Sequence, residues 1–213
     1  MRAEDYEAWK NKAVGVVVKA EKMLWGKNNE EIQTRMYQLG FTLHTMRTAK
    51  LGWQVRNTKR SASGWGISHC EHVMLPEGIT IPIIHDGLLK KVVIWRMGHD
   101  HDGEIHVVEG SANIPLVLPG ETPDRILVKS EMDALLLHQE LQEKLEVVAV
   151  GDLTPDEVAP HVDSDKRNTL LAIGGAMDTW RDQAESCLTI DAKSLPSLAE
   201  TGELEKELAK LTF

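Results

Sequence analysis

The sequence predicts an α/β chain, α+β over its whole length, with an N-terminal helical segment and a small β-rich lobe followed by a parallel sheet flanked by helices. Three observations carry that expectation. Residues 3–53 place apolar side chains at helical spacing, residues 78–118 read as strands around Asp-Gly turns, and from Asp124 onward a short apolar run is followed by a helix-like segment three times. The domain boundary is expected near residue 120, giving a lobe over 1–120 and a sheet domain with a C-terminal helix over 121–213.

The first zone reads as two or three packed helices. AEDYEAWKNKAVGVVVKAEKMLW is the first, NNEEIQTRMYQLG the second, with Asn28 or Asn29 placed to cap and Gly40 to stop it. Phe41, Leu43, Met46 and LGW at 51–53 complete the zone. Trp9, Trp25 and Trp53 are read as core or lobe-interface residues rather than base-stacking platforms.

QVRNTKRSASGWG, rich in Gly, Ser and basic residues, reads as a loop. It carries Arg56, Lys59 and Arg60, either as a solvated linker or as a phosphate-contacting loop. The β-rich zone then opens with GITIPIIHDGLLKKVVIWRM, two strands around a His-Asp-Gly turn, and continues through HDHDGEIHVVEGS, so a three-stranded meander is expected. Strand alternation in KKVVIWR separates Lys91, Val93 and Trp95 from Lys90, Val92, Ile94 and Arg96, and one basic row is expected to line a groove.

In the third zone the repeats are RILVK then SEMDALLLHQELQEKL, EVVAVGD then TPDEVAPHVDSDKR, and NTLLAIGG then AMDTWRDQAESC. Short strands alternating with helices imply parallel pairing and right-handed crossovers. LTIDA at 188–192 is a further strand candidate, and the tail ends as a short amphipathic helix. Ser130 is placed to cap the helix of the first repeat, with Glu131 and Asp133 in its positively polarised first turn.

Composition narrows the function classes. A chain of 213 residues with 42% hydrophobic residues has material for a core of one domain or two small lobes. With 33 acidic against 24 basic residues the formal charge is −9, so attraction to a phosphate backbone requires a local basic patch. Cys70 and Cys187 form no Cys-x-x-Cys pair, which argues against a disulfide framework and a cysteine-rich zinc module. The N-terminal MRAEDYEAWKNK is charged from its second residue, and no apolar run approaches the roughly 18 residues of a membrane span. A cytoplasmic protein without membrane contact is expected. HDHD at 99–102 with His106, and HCEH at 69–72, lack a matching second half at a metal-site spacing, and turn residues account for both; no metal is assigned.

The serial order of these pieces is more specific than any one of them. A helical segment ending in LGW, a strand pair with IPI whose second strand is basic and ends in Arg, a connection through EGSANIPLVL, and a strand-turn-helix unit with SEMDALLLHQ together resemble the RNA-polymerase core of bacterial-type DNA primases. The likeness is to the primase-like proteins of plasmids, phages and integrated elements, in which a Toprim domain follows a small mixed lobe, and it spans roughly residues 25–190. That family carries an N-terminal zinc-ribbon, which the cysteine count leaves no room for.

The resemblance implies a glutamate at the end of the first Toprim strand and an Asp-x-Asp at the end of the third, holding divalent metal. Here the glutamate position holds Lys129, and the Asp-x-Asp positions fall on Gly174 and Ala176. Neither Gly nor Ala offers a ligand, and an ammonium repels a cation that nucleotidyl transfer uses to activate its nucleophile and neutralise the triphosphate. The expectation is therefore a primase-like Toprim protein with a degenerate active site. It would bind single-stranded DNA, a nucleotide or a replication-related protein of a mobile element, with Arg56, Lys59, Arg60, Lys90, Arg96 and Lys129 as candidate nucleic-acid or phosphate contacts. Two alternatives remain open. One is an active primase making RNA primers with Mg or Mn held by shifted acids, Glu131 and Asp133 first, with Asp152 and Asp178 nearby. The other is a protein-binding inhibitor or assembly factor.

Overall fold

The computed structural model describes residues 3–97, 103–174 and 177–211. The chain divides into two units, Met1–Thr34 with Met46–Ala112, and Arg35–Thr45 with Asn113–Phe213.

The first unit is organised on α1 (Ala3–Leu24). Its Trp9, Ala13, Val17, Ala20 and Leu24 recur at three- and four-residue steps, and all five are buried. Trp9 donates from Nε1 to the Glu109 carbonyl at 2.8 Å, so its one polar atom is satisfied inside the core. Asn29, one of the two residues expected to cap α2 (Glu30–Gln38), directly precedes that helix, and its side-chain amide donates to the Met23 carbonyl at 2.7 Å, closing the end of α1. Gly40, at φ +89°, ends α2 as expected, with Phe41 N–H reaching the Met36 carbonyl. The short α3 (Leu43–Thr48) follows.

LGW does not continue the helices. It enters β1 (Gly52–Gln54), paired antiparallel with β4 (Gly78–His85). The reason is contact distance: a Cβ on Gly52 would stand 2.6 Å from backbone atoms of Ala20 and Glu21, so only glycine lets α1 lie directly on this strand. The next expectation is corrected too. QVRNTKRSASGWG is not a loop throughout, because β2 (Thr58–Ser61) pairs with β3 (His72–Leu75), and a 3-10 turn at Ala62–Trp65 buries Ala62 and Trp65.

The meander is present as β4, β5 (Leu88–Arg96) and β6 (Ile105–Val107), with β1 added, giving the sheet order β1-β4-β5-β6. Asp86 and Gly87 both have positive φ, as a two-residue hairpin of the I′ type requires. The HDHD segment lies outside the described residues. Val92 and Ile94 face α1 and join Trp9, Ala13, Trp65 and Val73 in one apolar cluster.

The second unit is the parallel sheet, in the order β11-β10-β8-β9-β7. Its elements are β7 (Leu116–Leu118), β8 (Asp124–Val128), α4 (Glu131–Glu140), β9 (Glu146–Ala149), α5 (Pro155–Val158), β10 (Arg167–Ile173), α6 (Asp178–Arg181) and β11 (Ser186–Ile190). β8 pairs in parallel with both β9 and β10, and β10 with β11. β7 pairs antiparallel with β9, which draws residues 113–120 into this unit and moves the boundary ahead of residue 120. The third repeat's helix is one turn, not twelve residues: Glu185 N–H bonds the Asn168 carbonyl, and the chain joins β10 as a strand from Ser186. The tail holds two helices, α7 (Leu195–Thr201) and α8 (Leu204–Leu208). Among the described residues no helix is long and apolar enough to cross a membrane.

Candidate functional site

Strand order locates the chemistry-bearing edge of the second unit. From β8 the chain passes through α4 to β9 on one side, then crosses to β10 on the other, so the C-terminal ends of β8 and β10 flank a topological switch point. Ligands of open α/β sheets bind in the crevice at such ends. Lys129 follows β8 there, and Gly174 follows β10.

Lys129 is exposed, and its Nζ lies 3.6 Å from Asp152 Oδ1 at the end of β9; the side chains are 61% and 98% accessible. An ion pair so open to water contributes little to stability, and the ammonium is available to an anion. Ser130 has the extended backbone of an N-cap, and its Oγ accepts from Asp133 N–H at 3.0 Å, so the expected helix cap is formed.

Asp133 looks inward. Its Oδ2 accepts from Ser130 Oγ at 2.6 Å, and its Oδ1 accepts from Leu195 N–H at 2.7 Å, the first helical residue of α7. One carboxylate thus ties the N-termini of α4 and α7 by filling a donor that a helix leaves open. Burial pushes its pKa above the ordinary carboxylate value, against the two hydrogen bonds, and the neighbouring Glu131 charge adds to the rise. Glu131 is also buried, at 1% exposure beside 6% for Asp133. The structure therefore places both candidate catalytic acids inside the fold rather than at the open strand ends. Exposed acids near these strand ends include Asp152, Asp178 and Asp191, with Asp178 3.6 Å from Arg181.

Gly174 has φ +64°, and a Cβ on it would stand 2.7 Å from the carbonyl oxygens of both Ala192 and Lys193. The backbone here excludes a side chain, for a steric reason independent of the resemblance. Ala176 lies outside the described residues. Among the described residues no three His, Cys, Asp or Glu side chains converge to hold a metal ion. The divalent metal implied by the resemblance does not fit this donor set, which offers an ammonium and a side-chain-free glycine at two of its three positions.

The candidate basic residues divide. Lys90 lies 4.8 Å from the Tyr6 ring centroid and Arg96 bonds Glu104 at 2.9 Å. Lys90 and Arg96 share a face of β5 with Val92 and Ile94, which pack in the cluster on α1. Arg56 and Arg60, by contrast, line a groove of about 700 Å³ between α1 and the β2 segment, joined by Lys12 and Lys19 from the helix. Lys59, which alternates with Arg60 on β2, does not line this groove. Lys12 and Lys19 escaped the sequence reading, although the signal existed: they lie seven residues apart along one flank of the stripe formed by Trp9, Ala13 and Val17.

No protein-family model and no curated protein sequence matches the chain. Its fold matches those of solved primase catalytic cores. A DnaG primase catalytic domain bound to single-stranded DNA superposes with a TM-score of 0.67 at 9% identity, over 98% of this chain and 83% of that one. The E. coli primase catalytic core gives 0.66 at 10% identity, over 96% and 78%. The RNA polymerase domain of Mycobacterium tuberculosis DnaG, in complex with a double-stranded DNA oligomer bearing a 6-nucleotide overhang, gives 0.63 at 10%, over 100% and 81%. At such identity the likeness is one of fold.

Proposed function

We propose that this chain is a nucleic-acid-binding protein built on the primase catalytic-core fold, and that it has given up metal-dependent nucleotidyl transfer. The observation that carries the proposal is at the switch point: Lys129 stands where the resemblance expects the metal-binding glutamate, and the Gly174 backbone leaves no space for an aspartate. Binding of nucleic acid is supported by the solved relatives, described as bound to single-stranded and double-stranded DNA, and by cations gathered on the first unit of a chain whose net charge is −9.

The chemistry argues the same way. Nucleotidyl transfer needs hard oxygen ligands to hold the metal against the triphosphate. An ammonium at the strand end acts instead as a fixed positive charge that attracts phosphate without activating a hydroxyl. A replication-related protein of a mobile element remains a partner consistent with the family resemblance.

The test is a primer-synthesis assay on a single-stranded template with nucleoside triphosphates and Mg or Mn, run beside a binding assay on the same template. Template binding without primer formation is expected. Metal-dependent primers made by the purified chain overturn the loss of catalysis.

A further inference from the structure

The outward face of α1 is patterned as carefully as its core face. Opposite the stripe that runs from Trp9 to Leu24, an exposed line carries Glu4 and Glu7 near the N-terminus, Asn11, Val14 and Val18 in the middle, and Lys22 in the last turn. Their steps of three and four residues keep them on one side of the helix. At a rise of about 1.5 Å per residue the line is roughly 27 Å long.

The middle of this line is made of residues that suit a covered surface. Val14 and Val18 stand one turn apart and are 42% and 43% exposed. Valine is restricted at χ1 in a helix and glycine is a poor helix former, so an exposed helix centre gains nothing from either. Gly15, beside both valines, is exposed, and a Cβ on it meets nothing within 4 Å. Gly52 lacks a side chain because α1 lies directly on it, whereas the bare backbone at Gly15 answers to no neighbour in the chain. It leaves a notch between two raised valines, where another helix axis can approach closely.

The ends of the line carry opposite charge, which decides what fits. A second copy of the helix laid antiparallel sets the acidic end of each on the basic end of the other. With the two-fold axis between residues 14 and 15, Glu7 stands opposite the partner's Lys22, Asn11 opposite the partner's Val18, and Val14 opposite the partner's Gly15, so each valine fills a notch. Glu7 is bridged to Lys10 at 2.6 Å, yet its side chain remains 57% accessible to a second cation. A parallel pair would set Glu on Glu and Lys on Lys, and the helix dipoles also favour the antiparallel arrangement.

We infer that α1 is a self-association surface, on which a second copy of this chain docks antiparallel with Val14 and Val18 packed across Gly15 and a Glu7–Lys22 ion pair at each end. The contact is isologous, so it closes at a dimer. One helix pair is smaller than the standard interface of about 800 Å² per partner, and the dimer is therefore weak, with a Kd in the micromolar range or above. The inference is independent of the nucleic-acid reading.

The experiment is sedimentation velocity on the purified chain from about 1 µM to about 500 µM, a range that brackets such a Kd. Conversion from monomer to dimer with rising concentration is expected. Val14→Glu combined with Val18→Glu puts four carboxylates at the dimer centre and is expected to weaken association at least about tenfold, with the Tm retained because both positions are exposed. Gly15→Leu is expected to weaken association with an unchanged or higher Tm, because leucine closes the notch and is the better helix former. Glu7→Lys and Lys22→Glu are each expected to weaken the dimer several-fold by setting like charges face to face, and the two together to restore it. A chain that stays monomeric over the whole range overturns the inference and leaves this face to a different partner. A dimer that every variant forms equally well lies elsewhere on the molecule and overturns it too. Failure of the double charge reversal to recover what the single reversals lose overturns the antiparallel register.

Discussion

Asp133→Ala is expected to destabilise the protein by removing the clamp between α4 and α7. The lost acceptor is the one for Leu195 N–H, a donor in a residue with no exposed surface, held at 2.7 Å. Leaving a buried N–H unsatisfied costs about 1–3 kcal/mol. The Ser130 cap itself persists, because its oxygen accepts from the backbone N–H of residue 133, which alanine retains. Relief of the carboxylate's burial offsets part of the loss. For a chain of this length each kcal/mol corresponds to about 2–4 °C in Tm. Asp133→Asn keeps an oxygen for Leu195 and places an amide beside Ser130 Oγ, so its effect is expected to be smaller than that of alanine.

Wild type and the asparagine variant also separate in their pH dependence. Because burial raises the Asp133 pKa in the folded state above its unfolded value, the native protein takes up the proton first as pH falls. The burial penalty is present in full above the folded pKa. Stability contributed at this site therefore increases as pH falls through the folded pKa and levels off below the unfolded one. Asparagine has no such proton, so the wild-type minus Asp133→Asn stability difference is expected to shift in favour of the wild type on acidification. Urea unfolding monitored by circular dichroism between pH 4 and pH 8, values chosen to span ordinary carboxylate titration, measures both effects. An alanine variant as stable as wild type, together with no pH-dependent difference between wild type and the asparagine variant, refutes the clamp.

Gly174→Asp, which restores the residue type that the resemblance expects, should destabilise by at least about 1–2 kcal/mol from left-handed backbone strain alone, before its contacts with the Ala192 and Lys193 carbonyls, as read by urea unfolding. At the opposite end of the sheet, Arg125 is buried against Glu146 and also bonds Asn168 and the Asp163 carbonyl. Arg125→Ala should therefore cost at most about 3–5 kcal/mol by thermal unfolding, the range for removing one member of a buried pair, because Glu146 keeps Lys166 at 3.1 Å. Lys129→Ala should leave Tm within about 4 °C, since the exposed pair with Asp152 contributes at most about 1 kcal/mol.

Much of the second unit was legible because local and global signals agree there. The run RILVK is apolar enough for a doubly covered strand, Ser130 caps in the way its residue type suggests, and α4 is buried around nearly its whole circumference, as the run ALLL implies. Asp86-Gly87 marked the β4–β5 hairpin by its backbone demands alone.

The misses share a cause, which is pairing across long sequence distances. Thr-Lys-Arg-Ser shows no apolar alternation and becomes β2 only because β3 pairs with it; the nearby signal was Trp65, a costly residue to leave in a polar linker. Residues 186–187 read as the end of a helix until β10 captures them. The same limit shaped the site. Arg56, Lys59 and Arg60 look alike in a line of sequence, while the fold brings Arg56 and Arg60 to one groove with Lys12 and Lys19 from the first helix. Asp133 was identified as a functional candidate by its motif position, but its inward aim depends on Leu195, whose N–H is supplied from 62 residues away.

Calorimetric titration of manganese into the purified chain, with and without nucleoside triphosphate, tests the central claim most directly. The account predicts no saturable metal binding to the folded protein, because its switch point presents Lys129 and a bare Gly174. Stoichiometric binding that disappears on substitution of Asp152 or Asp178 by asparagine contradicts it, since a working metal centre would then survive on acids displaced from the expected positions.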